Sequence, residues 1–282
     1  VNVRGVIVTA DDFGLHARVN EAVVLAHRDG VLSAASLMVG APAAQGAIAC
    51  ARELPGLRVG LHIVLADGRP MLPPHAIPDL VDSEGRFGSS MALDGLRFFF
   101  LPRVRAQLAA EIRAQFEAFA ATGLTLDHVN THKHFHLHPT VLSLIVEIGR
   151  DFRLRAMRLP NELHGSIGLR PWIALAKARM TRAGIDYNDH VAGLSLTGRM
   201  DEAALLAVLA QQPEGVLEIY CHPASAGTGE LTSSMRGYRH ADELAALRSP
   251  AVAAALAASG AMQGGFADIF GHGSHDHARM PA

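Results

Sequence analysis

The sequence is short of cysteine, of charge and of long apolar runs, and each shortage excludes something. Two cysteines, Cys50 and Cys221, cannot frame a disulfide scaffold in 282 residues, and they fit a reducing compartment. Charged residues make up 18 %, below the roughly 25 % of an average soluble domain, while hydrophobic residues make up 49 %. That balance excludes a disordered chain and leaves enough apolar side chains for a sizeable core. The formal net charge of -2 lacks the basic excess of a nucleic-acid binder, so no nucleic-acid partner is expected. No apolar run approaches the roughly 18 residues that a membrane-spanning helix needs. Val1-Asn2-Val3-Arg4 leads straight into a strand-like run without a signal-peptide pattern. A cytoplasmic chain is expected, at most peripheral at the inner membrane.

What the sequence has in excess is histidine, 16 in all, and many of them cluster. They fall within an alternating pattern. Residues 5–10 read as a buried strand, 19–28 as a helix with Asn20 as a cap, and 32–39 as strand-like. Residues 43–54 read as a helix and 57–62 as another strand. This β-α-β-α-β order predicts parallel strands with helices outside. Residues 66–95, rich in Pro, Gly, Asp and Ser, read as a long loop. Further on come a helix over 104–122, a strand over 125–130 and a helix over 139–150. A strand over 155–159, a helix over 171–183, a strand over 215–222 and a terminal helix over 241–258 complete the pattern. With no repeat and no linker, the expected fold is α/β: one domain over 1–270, an irregular (β/α) barrel like a TIM barrel, followed by a flexible His-rich tail over 271–282. In such folds chemistry collects at the C-terminal ends of the strands.

Four apolar strands end in candidate chemical groups. These are Asp11-Asp12, His62, the run from His128 to His138, and His222. Two adjacent carboxylates repel unless a cation lies between them or one is protonated, yet Asp is also common in turns and helix caps. In the histidine run the even positions 128, 132, 134, 136 and 138 would share a face only if the strand continued, and Pro139 shows that it does not. At most one or two of them face a site, and the rest are ordinary core or surface residues. Imidazole is the commonest ligand of zinc-like ions. Asp12, His62 and His132 would supply one carboxylate and two imidazoles, with positions left open for water and substrate. By period two, Glu218, Tyr220 and His222 share a face and Cys221 points away, which argues against a cysteine nucleophile.

The runs Thr9-Ala10-Asp11-Asp12-Phe13-Gly14, Gly60-Leu61-His62, Thr131-His132-Lys133-His134-Phe135-His136 and Cys221-His222-Pro223 resemble the motifs of the YdjC-like carbohydrate deacetylases. That family includes the chitooligosaccharide deacetylases. Leu15-His16 and Ser33-Ala34-Ala35-Ser36-Leu37-Met38-Val39 resemble its hopanoid-biosynthesis-associated branch. The resemblance implies that Asp12, His62 and His132 hold one divalent metal, zinc or magnesium. It implies Asp11 as general base, His222 as general acid and Arg158 as the group that orients Asp11. The implied substrate is an N-acetylated amino sugar, carried on a hopanoid lipid if the branch holds. Where many relatives carry Asp-Ser before the first histidine of the run, this sequence has Asn130-Thr131, which leaves the role of position 130 open.

Two segments bear on a lipid. Residues 96–103 are apolar with flanking arginines, and residues 170–179 are amphipathic and basic with the sole tryptophan. Both fit a membrane surface or a lipid tail, and both fit, more simply, a buried core or a homodimer interface. Three other functions compete: a chitooligosaccharide deacetylase, a phosphoesterase with two metals bridged by carboxylates, and a noncatalytic glycolipid-binding protein with a structural metal.

Overall fold

The computed structural model describes residues 3–88, 100–165, 167–227 and 230–272. The first strand, β1 (Val3–Phe13), is buried along nearly its whole length because helices cover the sheet outside and side chains fill it inside. Helix α1 (Ala17–Arg28) follows, then β2 (Ala34–Leu37), α2 (Ala44–Arg52) and β3 (Arg58–Ile63). After the loop come α3 (Pro102–Ala121), β4 (Val129–Thr131), a short 3-10 helix (His132–Leu137) and α4 (Pro139–Gly149). The chain continues through α5 (Arg170–Ala183), β5 (His190–Ala192), α6 (Glu202–Leu209) and β6 (Gly215–Cys221). It closes with α7 (His240–Leu247), α8 (Pro250–Ala258), β7 (Met262–Gln263) and α9 (Phe266–Phe270).

The strands are parallel and lie in the order β4-β3-β2-β1-β6-β5. β7 pairs with the start of β1 at Gly5 and Val6, while β2 pairs with its far end from Thr9 onward. The sheet curls, and single-residue bridges span the space between β4 and β5. Val129 pairs with Met157, Ala156 with Asp186, and Glu162 with Val191. The expected strand over 155–159 is therefore present only as isolated bridges. The result is the expected α/β architecture, a curled parallel half-barrel of the TIM-barrel-like kind.

Helix boundaries depart from the periodicity in two instructive places. Asn20 does not cap α1; His16 does, its Nδ1 accepting from Arg18 N. Asn20 instead ties the strand-end loop down: its Oδ1 accepts from Gly14 N (2.9 Å) and its Nδ2 donates to the Ala43 carbonyl (3.0 Å). The terminal helix expected over 241–258 is two helices, because Pro250 offers no N–H to continue α7 and instead starts α8. Ser249 caps that second start, its Oγ accepting from Ala251 N and Val252 N.

The loop after β3 is held by α3. Glu111, buried, accepts from Met71 N (2.8 Å) and Leu72 N (3.0 Å), and Gln115 brackets the backbone of Val64. Of the two segments considered for lipid contact, residues 96–99 lie outside the described residues, while Trp172 and Leu175 on α5 are exposed. No helix among the described residues is long and apolar enough to cross a membrane. Gly271 ends α9 in a left-handed conformation and His272 pairs with Asp186 (2.8 Å); residues 273–282 of the expected tail lie outside the described residues.

Ser249→Ala removes the side-chain cap of α8 while Pro250 keeps the break. It should cost about 1 kcal/mol of unfolding free energy, read as a lower urea midpoint with an unchanged denaturant slope.

Candidate metal centre

Asp11 and Asp12 would point to opposite faces of a regular strand. They do not, because the register between β1 and β2 shifts between Ala10 and Phe13, and Asp12 takes a left-handed φ of 63°. This bulge turns both carboxylates into the bowl at the C-terminal end of the sheet. A second pair of left-handed residues, Lys133 (φ 56°) and His134 (φ 54°), follows the end of β4 and folds the histidine run back over the same bowl. Such conformations are costly for non-glycine residues and persist where surrounding contacts enforce them. Here the contacts include an ion pair from Lys133 Nζ to Asp67.

Asp12, His62 and His132 each bring one ligand atom to within 4.8 Å of the others. Asp12 Oδ1 lies 3.1 Å from His132 Nδ1 and 3.3 Å from His62 Nε2. His62 uses its other nitrogen, Nδ1, against Asn130 Oδ1 at 2.6 Å. That leaves Nε2 facing Asp12 without hydrogen-bond geometry, and Asp12 Oδ2 is likewise buried and unpaired. Buried polar atoms are rarely left unpaired. One carboxylate and two imidazoles that converge on unpaired atoms fit a divalent cation, with coordination positions left for other ligands.

Charge points the same way. Burial opposes ionisation of Asp12, but His132 above all, with His62 and His222, holds its carboxyl well below the usual range. Burial also opposes protonation of His62, yet Asp11 and Asp12 outweigh it and raise its pKa. The bowl thus draws positive charge.

Asp11 stands beside this group and is differently held. Arg158 Nη1 donates to its Oδ2 (2.6 Å), Arg158 Nη2 to its Oδ1 (3.0 Å), and Asn130 Nδ2 to the same Oδ1 (3.0 Å). Against burial, Arg158 and then His62 keep Asp11 far below the ordinary carboxylate pKa. The opposite edge of Arg158 is taken by Glu218, with Nε to Oε2 at 2.9 Å and Nη2 to Oε1 at 2.8 Å. Its guanidinium lies over the Tyr220 ring at 4.4 Å. Thr9 Oγ1 completes the set by donating to Glu218 Oε1.

His222 enters from the end of β6. Its Nε2 is 3.9 Å from Asp12 Oδ2, and its Nδ1 is buried without a partner. Its backbone is fixed by Glu243, which accepts from His222 N, and by His240, whose Nδ1 meets the His222 carbonyl. Cys221 points into the core, where burial pushes its thiol pKa up. A cavity of about 200 Å³ joins Asp11, His62, His132, His134, Tyr220 and His222. Of the histidine run, His132 and His134 reach this cavity, His136 is buried against Thr131, and His138 caps α4. His128 lies on another path, against Ser36 and Asp127.

Of the six residues expected from the sequence and its resemblance, Asp12, His62 and His132 group together, Asp11 stands beside them on Arg158, and His222 faces Asp12. Sequence reasoning gave no role to Glu218, although Glu218 lies two and four residues from Tyr220 and His222 on the same face of β6. Nor did it assign Asn130, whose amide turns out to touch both His62 and Asp11.

The model of the family described as YdjC-like protein matches residues 5–258. A carbohydrate deacetylase of Brevibacillus brevis is 34 % identical over 84 % of this chain and 88 % of its own length. A chitooligosaccharide deacetylase of Yersinia pestis is 31 % identical over 93 % of this chain and 98 % of its own. Among solved structures, a cellobiose-phosphate cleavage protein by name, from Enterococcus faecalis, superposes with a TM-score of 0.77 at 25 % identity, covering 94 % of this chain and 98 % of its own. The chain belongs to the YdjC-like family.

Arg158→Met would strand two buried carboxylates. It should destabilise the protein by about 3–5 kcal/mol, measured by chemical denaturation, whereas replacement of an exposed arginine such as Arg236 should cost less than about 1 kcal/mol.

Proposed function

We propose that this YdjC-like protein is a carbohydrate deacetylase that hydrolyses the acetamide of an N-acetylglucosamine-type sugar with the help of one divalent metal. The observation that carries the proposal is the convergence of Asp12, His62 and His132, with unpaired atoms of Asp12 and His62, beside a carboxylate that is not part of the triad. The deacetylase names of its relatives supply the reaction class.

A divalent cation held by Asp12, His62 and His132 would polarise the acetamide carbonyl and acidify a water molecule. Asp11 accepts the proton that this water gives up as it attacks. Its low pKa keeps it ionised and ready across neutral pH, and Arg158 with Asn130 fixes the direction in which it faces. The amine is a poor leaving group unless its nitrogen is protonated, and His222, across the same cavity, is the donor. The products are acetate and the free amino sugar. His134 and Tyr220, hydrogen-bonded to each other at 2.9 Å, form the far wall and orient the sugar.

Within this class we favour a sugar attached to an apolar aglycone, of which an N-acetylglucosaminyl hopanoid is the case implied by the hopanoid-branch motifs. A second cavity of about 280 Å³ shares His132, Ser234 and Met235 with the first. Its walls include Leu15, Met38, Val64, Met71 and Leu231, and among the described residues only the His16 and His132 rings are aromatic there. Adaptable apolar side chains suit an aliphatic group better than a second sugar, which needs hydrogen-bonding groups or flat aromatic faces. A chitooligosaccharide remains the competing substrate, since a relative carries that name and Arg69, Arg86 and Asp67 give the cavity a polar side. On α5, exposed Trp172 and Leu175 with Arg170, Lys177 and Arg182 support contact with an anionic lipid surface. Trp172→Ser with Leu175→Ser should abolish flotation with anionic liposomes; equal flotation of the variant would refute that contact.

Acetate release from N-acetylglucosamine, chitobiose and an N-acetylglucosaminyl hopanoid should vanish on metal stripping and return on adding metal back. The hopanoid substrate should be preferred. Asp11→Asn should keep the metal and lose at least about 100-fold in turnover, whereas Asp12→Asn and His132→Ala should lose both metal and turnover. Equal metal loss in Asp11→Asn would sink the division of labour between the two aspartates.

A further inference from the structure

We propose that Asp127, His128 and Ser36, none of which touches the reaction cavity, are positioning residues. Through Asn130 they fix the tautomer of His62, so that its Nε2 is the nitrogen offered to a metal. The inference rests on the reading of Asp12, His62 and His132 as metal ligands.

The observation is a continuous buried chain of hydrogen bonds in which each proton has one place to go. Asn130 Nδ2 faces Asp11 Oδ1 at 3.0 Å and Ser36 Oγ at 2.9 Å. Flipping the amide would press its oxygen against the Asp11 carboxylate and against a Ser36 oxygen whose proton is engaged with His128, so the two sides together set the orientation. The Asn130 oxygen therefore meets His62 Nδ1 at 2.6 Å, and His62 must carry a proton there to donate. Ser36 accepts from Asn130, and because the Asp127 carboxylate faces His128 Nδ1, the other ring nitrogen, Nε2, is the acceptor for the serine's hydroxyl proton, at 3.0 Å. His128 then carries its proton on Nδ1 and donates it to Asp127 Oδ2 at 2.8 Å. Asp127 is anchored in turn: Phe266 N donates to its Oδ2 (3.1 Å) and Ala267 N to its Oδ1 (2.8 Å), at the start of α9.

Every step donates in the same direction, from His62 toward Asp127. Asp127, His128, Ser36, Asn130 and His62 are all buried, so water does not compete for any link. In such surroundings aligned hydrogen bonds reinforce one another. Packing confirms that the path is built rather than incidental. The His128 ring lies against Phe266, with centroids 4.9 Å apart. A Cβ at Gly60 would fall 2.5 Å from the His128 ring and from its carbonyl oxygen. Gly60, two residues before His62, leaves the room this ring takes against β3. Metal-bound histidines depend on a partner at their second nitrogen, and loss of such partners lowers metal affinity roughly 10- to 100-fold.

The test uses zinc as the probe and the full chain. Zinc affinity is measured by competition with a chromophoric chelator for the wild type, Ser36→Ala and His128→Phe. The second variant keeps the ring against Phe266 but cannot accept from Ser36. Thermal unfolding of the metal-free proteins runs in parallel. 15N spectra of the zinc-loaded wild type, with His62 signals assigned by their loss in His62→Gln, report which nitrogen is bound. We expect binding through Nε2 with the proton on Nδ1, and an affinity roughly 10-fold lower in Ser36→Ala, with His128→Phe shifted the same way. Affinities within twofold of the wild type, with only the unfolding temperature lowered, would reduce the chain to a structural device and overturn the proposal. So would binding through Nδ1. A wild type that takes up no zinc would instead remove the metal reading itself, and the two failures are thereby distinct.

Discussion

Arg158 is fully buried, and its guanidinium is divided between Asp11 and Glu218. Every group around the bowl is arranged about that division. A lone guanidinium in the interior would be prohibitively costly, and so would either carboxylate. Together they are tolerable because the planar fork satisfies both carboxylates with four donors. The consequence is geometric. β1 carries Asp11, β6 carries Glu218, and the bridging segment beyond β4 carries Arg158, so the ion triad pins three parts of the barrel to one another. The space between β4 and β5 is spanned only by single-residue bridges. There the ladder is weakest, and the triad ties that edge to the centre of the sheet.

The second constraint is backbone conformation. Asp12 at a left-handed φ, with the bulge beside it, converts a strand's alternation into two neighbouring carboxylates on one side. Lys133 and His134 do the same for the histidine run. Neither can be read from periodicity, because the pattern assumes a regular strand and the site exists where regularity is broken. A strained turn costs free energy that the surrounding packing must offset. The ion pair of Lys133 with Asp67 and the bond from His134 to Tyr220 are the visible compensations.

The legibility of the sequence follows from the same distinction. β1, β3 and β6 were readable because each is a mainly apolar run closed by a polar residue, with Glu218 the one charge inside β6, and the ends of those runs named Asp11, Asp12, His62 and His222. The helices over 102–121 and 139–149 were readable from their 3.6-residue stripe. β5, with three residues, and β7, with two, carry too little pattern to register. The break before Pro250 was marked by the proline itself and was lost only because the apolar stripe runs on across it. Glu218 was legible as a face-mate of His222, but not its partner. Arg158 was reached by resemblance, and nothing within its segment shows that its charge is spent inward.

Asn130 shows why one residue type can be required where its charged cousin would serve half the purpose. A carboxylate at that position would accept the His62 proton at least as well and raise the basicity of that imidazole. It could not donate to Asp11 or Ser36, and it would add a fourth buried carboxylate to Asp11, Asp12 and Glu218, against the single guanidinium of Arg158. The amide serves all three neighbours without charge. It takes the His62 proton, helps Arg158 hold Asp11, and hands Ser36 a donor that decides where the serine's own proton goes. A neutral acceptor behind His62 makes that imidazole a weaker donor than a carboxylate would. A cation held by Asp12, His62 and His132 would then keep more of its charge for a bound carbonyl. Under the proposed metal reading, Asn130 would set the balance between holding a metal tightly and leaving it electrophilic, from a position that touches both Asp11 and His62.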